Sequence, residues 1–154
     1  MAVVTHATPA DASELAELFQ EMDKFYGEAS EESVETKTAN ILLALFGDHP
    51  WAYALVAWDG ETVVGFASYS FLWPAAMSTK SLYLKELYVK QDHRYSGVGK
   101  LLITHVLKAG RDNDCSRVEW TTDHDNHEAR AFYERLGFPQ NTSKVFYRVE
   151  TGDQ

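Results

Sequence analysis

The sequence predicts an α/β protein in which a mixed sheet carries helices on both faces. Three observations support this: an Asp59-Gly60 turn between runs of β-branched and aromatic residues, a strand-turn-helix segment around Gly97, and apolar residues at helical spacing. The predicted order is one strand, two helices and three antiparallel strands, the last of which opens a β-α-β-α series before a final strand. We expect about six or seven strands in a single domain over residues 1–154.

The first half of the chain is predicted to contain a strand, two helices and a hairpin. Residues 3–6 form the strand, and Thr8, Pro9 and Asp11 supply an N-cap, a proline at the first helical position and an acid in the first turn. This helix ends at Gly27, and a second helix begins near Ser30 and ends at Gly47. The hairpin strands are predicted at residues 51–58 and 62–73.

The second half alternates strands with helices. Residues 74–80 are predicted to be a loop, followed by an apolar strand at 82–89 that contains two charged residues, Lys85 and Glu86. The remaining elements are a helix at 97–109, a strand at 117–122, a helix at 126–136 stopped by Gly137, and a last strand at 144–150.

The turn before the third helix has the features of a phosphate site. Backbone N–H groups and the positive end of the helix dipole point to one place there, and Gly97 and Gly99 let an anion approach the backbone. Arg94 adds a permanent cation, and Lys100 opposes the dipole unless an anion is bound. The alternative is that the glycines only serve the turn.

Composition narrows the classes of function. The net charge of -9 argues against nonspecific nucleic-acid binding, which needs cations, and suits either a cationic small molecule or a merely soluble acidic surface. No signal sequence and no apolar run of membrane-spanning length is recognised, so we expect a cytoplasmic protein without membrane contact.

Cysteine and histidine contribute little chemistry. Cys115 is the single cysteine and stands at the start of a predicted strand, which favours an inert core thiol over a reactive one. His124 and His127 do not make a metal site with the acids around them, because the ligand set is incomplete. We therefore predict no metal.

Two motifs together resemble the GNAT superfamily of acetyl-CoA-dependent N-acetyltransferases. The first is Arg94-x-x-Gly97-x-Gly99 after a strand, and the second runs from Asn126 to Phe138 as N-x-x-A-x-x-F-Y-x-x-L-G-F. Similarity to the diamine (spermidine/spermine) acetyltransferase branch extends over most of the chain. It is carried by F-G-D-H-P at 46–50, V-G-F-A at 64–67 and L-Y-L-K-E-L-Y-V at 82–89.

The resemblance implies a GNAT-like fold, with acetyl-CoA as co-substrate. The turn would cradle the pyrophosphate of CoA through backbone N–H groups, and the pantetheine arm would run along the strand edge at 87–89. Family members usually have glycine directly after the arginine, whereas this chain has Tyr95. The implied cofactor-binding residues are Leu87, Tyr88, Val89, Arg94, Tyr95, Ser96, Gly97, Val98, Gly99, Lys100, Asn126, Ala129 and Tyr133.

Two residues are predicted to be catalytic, Glu86 and Tyr133. An aliphatic ammonium with a pKa near ~10 is neutral in only about one part in a thousand at pH 7, so direct attack on the thioester needs a proton acceptor. Glu86 can accept that proton, directly or through water. The alternatives are that Glu86 only pairs with Lys85 or lies on an exposed face, and that water alone serves as the base. The resemblance assigns Tyr133 to reprotonating the thiolate, and the alternative is a core aromatic. Related diamine acetyltransferases carry an acid where this chain has Lys85.

The acceptor is predicted to be a small cationic amine, preferably a polyamine or diamine. By resemblance Tyr26, Glu28 and Trp73 line the amine site with Glu86, since carboxylates and aromatic faces attract an ammonium. Other acceptors remain open: an amino acid, an aminoglycoside or a protein amine. A CoA-binding regulatory module without turnover is the alternative of another class, and the family suggests a homodimer.

Overall fold

The computed structural model describes residues 1–28 and 31–152. The helices are α1 (Ala12–Phe25), α2 (Val34–Phe46), α3 (Val98–Asp112) and α4 (His127–Arg135), and the strands are β1 (Ala2–His6), β2 (Tyr53–Asp59), β3 (Thr62–Leu72), β4 (Lys80–Val89) and β5 (Cys115–Trp120). The chain divides into two compact units, Met1–Thr121 and Thr122–Gln154.

The first unit is built on a mixed sheet of five strands in the order β1-β2-β3-β4-β5. The first four strands pair antiparallel, and β4 and β5 pair parallel with α3 as the connection between them. This confirms the predicted mixed α/β architecture. The predicted count of six or seven strands is too high for the described residues.

Adjacent residues of β3 show that helices cover both faces of the sheet. The Phe66 ring lies 4.6 Å from the Phe19 ring of α1, and it is fully buried in a core cluster with α1 and α2. A Cβ built on Gly65 would lie 3.2 Å from the Leu102 side chain of α3. Since successive strand residues point to opposite faces, α1 and α2 cover one face and α3 covers the other.

The starts of the first two helices follow side-chain capping. The Thr8 N–H donates to Asp11 Oδ2 at 2.8 Å, and a short 3-10 turn at Pro9–Asp11 leads into α1. The N-cap of α2 is Ser33, whose hydroxyl accepts a hydrogen bond from the Thr36 N–H at 3.1 Å. The predicted start at Ser30 lies outside the described residues.

The predicted last strand, residues 144–150, is wrong. In the part of the chain that the structure describes, these residues belong to no sheet, and Val145, Tyr147 and Val149 are 75%, 86% and 84% exposed. Their alternating β-branched and aromatic residues express strand propensity, but a strand also needs a partner, which the local pattern does not encode. Two smaller shifts concern β4, which begins within the predicted loop, and β5, which lies two residues earlier than predicted.

Candidate active site

Strand β4 is bent by a bulge and has an open edge beyond it. Ser68 of β3 stands opposite Glu86, and Tyr69 stands opposite Leu84, so Lys85 is an extra residue in β4. The parallel pairing of β4 with β5 ends at Leu84 and Trp120. Among the described residues, β5 does not continue beside β4 past Leu84, so no strand lies beside the β5-facing edge of β4 at Leu87 and Val89.

The hydrogen bonds to β3 identify which backbone groups lie on that open edge. The Lys90 N–H donates to the Val64 carbonyl at 2.8 Å, which makes Gly65 and Val89 a non-hydrogen-bonded pair. Because such pairs alternate along antiparallel strands, the N–H and C=O of Leu87 and Val89 point away from β3. An extended molecule that carries amide groups can form hydrogen bonds with this edge. The pantetheine arm of CoA is such a molecule.

The turn before α3 directs backbone N–H groups toward one place. Tyr95 and Gly97 are left-handed, at φ 62° and 90°, and Gly97 is the N-cap of the helix. The Leu101 N–H donates to the Gly97 carbonyl at 3.0 Å, so the N–H groups of the three residues before it, 98–100, have no intrahelical partner. A Cβ on Gly97 would meet nothing within 4 Å, so the space beside the turn is open. The geometry fits a bound diphosphate.

The other predicted residues of the turn occupy different environments. Val98 is buried and fixes the start of α3 against the protein, whereas Tyr95 is 85% exposed. Lys100 is exposed in the first turn of the helix. The Ser96 hydroxyl donates to the His93 carbonyl and thereby closes the turn.

Arg94 joins the turn to α1 and β4. Its Nε donates to the Val89 carbonyl at 3.0 Å, and its guanidinium lies 4.2 Å from the Phe25 ring centroid and 5.4 Å from that of Tyr88. Stacking on two aromatic faces is a cation-π arrangement that suits a planar guanidinium. The predicted contact with phosphate oxygens is therefore accompanied by a structural role that the sequence did not reveal.

Glu86 lies on the face of the sheet that carries α1 and α2. It is directly opposite Ser68, and it precedes Tyr88 by two residues, so the three side chains share that face. Tyr88 is buried there, and its hydroxyl donates to Glu21 Oε2 of α1 at 3.4 Å. Burial and the nearby Glu21 carboxylate raise the pKa of Tyr88. Glu86 itself is half-buried, while Lys85 is exposed.

The residues predicted for the acceptor are only partly brought together. Tyr26 is the C-cap of α1 and its ring centroid lies 6.4 Å from that of Tyr88, and Glu28 follows Gly27 as an exposed residue. Trp73 is different, because it follows the far end of β3, five residues beyond Ser68 and thus roughly 16 Å along the strand from the level of Glu86. Its indole N–H donates to the Ser78 carbonyl at 3.0 Å. The structure does not bring Trp73 to Glu86.

Sequence reasoning missed a buried ionic cluster between α1 and α2. Lys37 is only 5% exposed, and its Nζ lies 3.1 Å from Glu32 Oε1 and 3.6 Å from Asp23 Oδ2. The Asn40 amide donates to the other Glu32 oxygen at 3.1 Å. Lys37 precedes the buried Ile41 by four residues, and this spacing was the available signal that it lies on the inner face of α2.

The second unit presents the other predicted residues on α4. Asn126 caps this helix by accepting a hydrogen bond from the Ala129 N–H at 3.1 Å. Tyr133 lies on α4, half-buried, with its ring 5.2 Å from that of Phe132. The helix ends at a left-handed Gly137 with φ 80°.

The described residues contain neither a metal-binding cluster nor a helix able to span a membrane. No cluster of three or more His, Cys, Asp or Glu side chains there could hold a metal ion. None of the helices in that part of the chain has the length and apolar character that crossing a bilayer requires. Cys115 is half-buried, and burial raises the pKa of its thiol.

The sequence matches known acetyltransferases. Residues 15–138 match the sequence profile of the acetyltransferase (GNAT) family. A D-amino-acid N-acetyltransferase of Saccharomyces cerevisiae is 33% identical over 98 residues, which are 62% of this chain and 60% of that protein, so the match spans less than two thirds of the relative. An uncharacterized N-acetyltransferase of Bacillus subtilis is 28% identical over 94% of both chains. A thialysine N-epsilon-acetyltransferase of Sus scrofa is 24% identical over 88% of this chain and 82% of its own.

Solved structures share the fold over nearly the whole chain. An integron cassette protein from the mobile metagenome of V. cholerae has a TM-score of 0.87 and 26% identity, covering 98% of this chain and 93% of its own. An aminoglycoside N-acetyltransferase in complex with CoA has a TM-score of 0.77 and 20% identity, covering 97% and 95%. At that identity the second likeness concerns the fold alone.

Proposed function

Since this chain belongs to the acetyltransferase (GNAT) family, whose members use acetyl-CoA, we propose that it transfers acetyl to a primary amine of a small cationic acceptor. The observation that carries the proposal is the open edge of β4 with Glu86 on the same segment of strand. This segment is proposed to supply both requirements of the reaction, a place for an extended thioester and a carboxylate for the amine proton.

The backbone supplies the proposed hold on acetyl-CoA. The N–H and C=O of Leu87 and the N–H of Val89 would pair with the amides of the pantetheine arm, while the Val89 carbonyl already accepts from Arg94. The N–H groups at the start of α3 would bind the diphosphate. The bound thioester would contribute the activated acetyl group. Arg94 holds the turn in place through Val89 and Phe25, so its removal is expected to loosen both parts of this site.

Two side chains are proposed to move protons. Glu86 would accept the proton of the attacking ammonium, because it is half-buried and its bulged strand separates it from the exposed Lys85. Tyr133 would donate a proton to the departing thiolate. The support for Tyr133 is its place on α4 at the motif position that carries the family resemblance.

The acceptor preference is the finer part of the proposal. A diamine or polyamine is favoured by the net charge of -9, by Tyr26, whose ring lies 6.4 Å from that of Tyr88, and by the exposed carboxylate of Glu28 two residues further on. The relatives named for D-amino acids and for thialysine support an amino acid as the competing acceptor. A cytoplasmic location and a homodimer, both predicted from the sequence, belong to the same proposal.

A thiol-release assay over a panel of amines tests the function. Diamines, polyamines, lysine analogues, D-amino acids and aminoglycosides would be compared by kcat/KM at fixed acetyl-CoA. Acceptor-dependent release of CoA thiol with an N-acetylated product is the expected result. Binding of acetyl-CoA without release for any acceptor would instead favour the regulatory module that the lysine at position 85 suggests.

A further inference from the structure

An apolar pocket lies between α1, α2 and the adjoining parts of β2 and β3. Its volume is about 360 Å³, within the range of small-molecule sites. The described lining residues are mostly apolar and include Leu15, Phe19, Ile41, Ala44, Ala54 and Phe66.

The pocket adjoins the proposed proton acceptor. Ser68 belongs to its lining and stands directly opposite Glu86 in the pairing of β3 with β4. Side chains of directly opposed residues point to the same face, with Cβ atoms roughly 5 Å apart. An amine that attacks beside Glu86 therefore has this pocket as the neighbouring space for the rest of the molecule.

The charges at the pocket argue against a second ammonium inside it. The polar side chains among the described lining residues are Glu32, Lys37, Asn40 and Ser68. The two Glu32 oxygens already accept from Lys37 and Asn40, at 3.1 Å each. An internal ammonium of an acceptor would lose its water against apolar walls without gaining a carboxylate oxygen that is not already engaged by Lys37 or Asn40, and this loss is unfavourable.

We propose that this pocket holds an uncharged hydrocarbon segment of the acceptor and so selects amines by the length of that segment. The inference rests on the proposed acetyl transfer and narrows its substrate class. Monoamines with an unbroken hydrocarbon chain are therefore preferred to amines that would place a second ammonium in the pocket, and this inference replaces the polyamine preference that net charge alone favours.

A series of straight-chain primary amines from ethylamine to hexylamine tests the selection, with spermidine for comparison. The ammonium pKa hardly changes along such a series, so kcat/KM reports the burial of the chain. We expect a gain of about fourfold for each added methylene, with spermidine below hexylamine. A flat series, or spermidine above hexylamine, overturns the inference.

A matched pair of substitutions on α2 locates the effect. Ala44→Leu narrows the pocket, because Ala44 is a half-buried lining residue, whereas Ala39→Leu makes the same change at an exposed position outside the lining. For Ala44→Leu we expect kcat/KM for hexylamine to fall at least tenfold. The kcat/KM for ethylamine and the KM of acetyl-CoA should stay within twofold of their values in the unsubstituted protein. Ala39→Leu should leave all three unchanged. Equal effects of the two substitutions contradict the inference.

Calorimetry separates a failure of the pocket from a failure of the proposed function. If acetyl-CoA binds but no amine is acetylated, acetyl transfer is refuted, and titration of hexylamine into the CoA complex then decides the pocket. Hexylamine binding that is lost in Ala44→Leu and kept in Ala39→Leu supports the pocket. Absent binding, or binding that Ala44→Leu leaves intact, refutes it.

Discussion

Replacement of Gly97 by alanine tests diphosphate binding at the turn before α3 separately from the stability of the fold. Gly97 is left-handed, and a Cβ there would meet no protein atom within 4 Å, so the loss of stability comes from backbone conformation alone. We expect about 1–2 kcal/mol, seen as a fall in Tm of about 2–4 °C for each kcal/mol. The same methyl occupies the space proposed for the diphosphate and displaces a phosphate oxygen from its N–H donors.

The quantity that tests this proposal is the affinity of the Gly97→Ala variant for CoA. A hydrogen bond to a charged group contributes about 1.5–3 kcal/mol, so losing one weakens binding by about 10- to 150-fold. Gly60→Ala is the matched control, because Gly60 is also left-handed with nothing within 4 Å but lies in the turn between β2 and β3. Calorimetry with CoA should show weaker binding for Gly97→Ala only. Unchanged affinity in Gly97→Ala, with Gly60→Ala equally destabilised, would refute the cradle.

Three further substitutions test other parts of the account. Glu86→Gln should lower kcat/KM about 100-fold at pH 7 and regain activity toward pH 9, where the free amine is about a hundredfold more abundant; an unchanged pH profile would remove Glu86 as proton acceptor. Tyr133→Phe should lower kcat at least tenfold with stability and acetyl-CoA affinity preserved, and turnover equal to that of the unsubstituted protein would exclude a role as proton donor. Gly65→Ala should cost about 1–3 kcal/mol in denaturant unfolding, since its Cβ would lie 2.9 Å from the Tyr88 carbonyl and 3.2 Å from Leu102, and an unshifted midpoint would contradict this packing.

Elements with strong local signals were predictable from the sequence. The Asp59-Gly60 turn joins β2 to β3 as predicted, and α1 ends near Gly27, which has φ 71°. Gly97 before α3 indicated the turn that the structure shows, because a left-handed turn residue can be recognised from the local sequence alone. The last predicted strand failed for the opposite reason, since residues 144–150 carry the propensity of a strand without information about a partner.

Features that depend on tertiary packing could not be predicted. The bulge at Lys85 follows from the register of β3 against β4, and no periodicity within β4 reveals it. Arg94 was predicted from its charge as a phosphate ligand, and its stacking on Phe25 depends on where α1 ends. The buried Lys37 lies on the inner face of α2, where its ion pair with Glu32 compensates for the loss of water.

The central claim, that CoA lies along the open edge of β4 and against the start of α3, can be measured by amide NMR. CoA would be titrated into isotopically labelled protein and followed through the backbone amide signals of each residue. We predict that the largest shifts occur at Leu87 and Val89 and at the amides of residues 98–100. Saturable binding that leaves these amides unshifted would contradict the account.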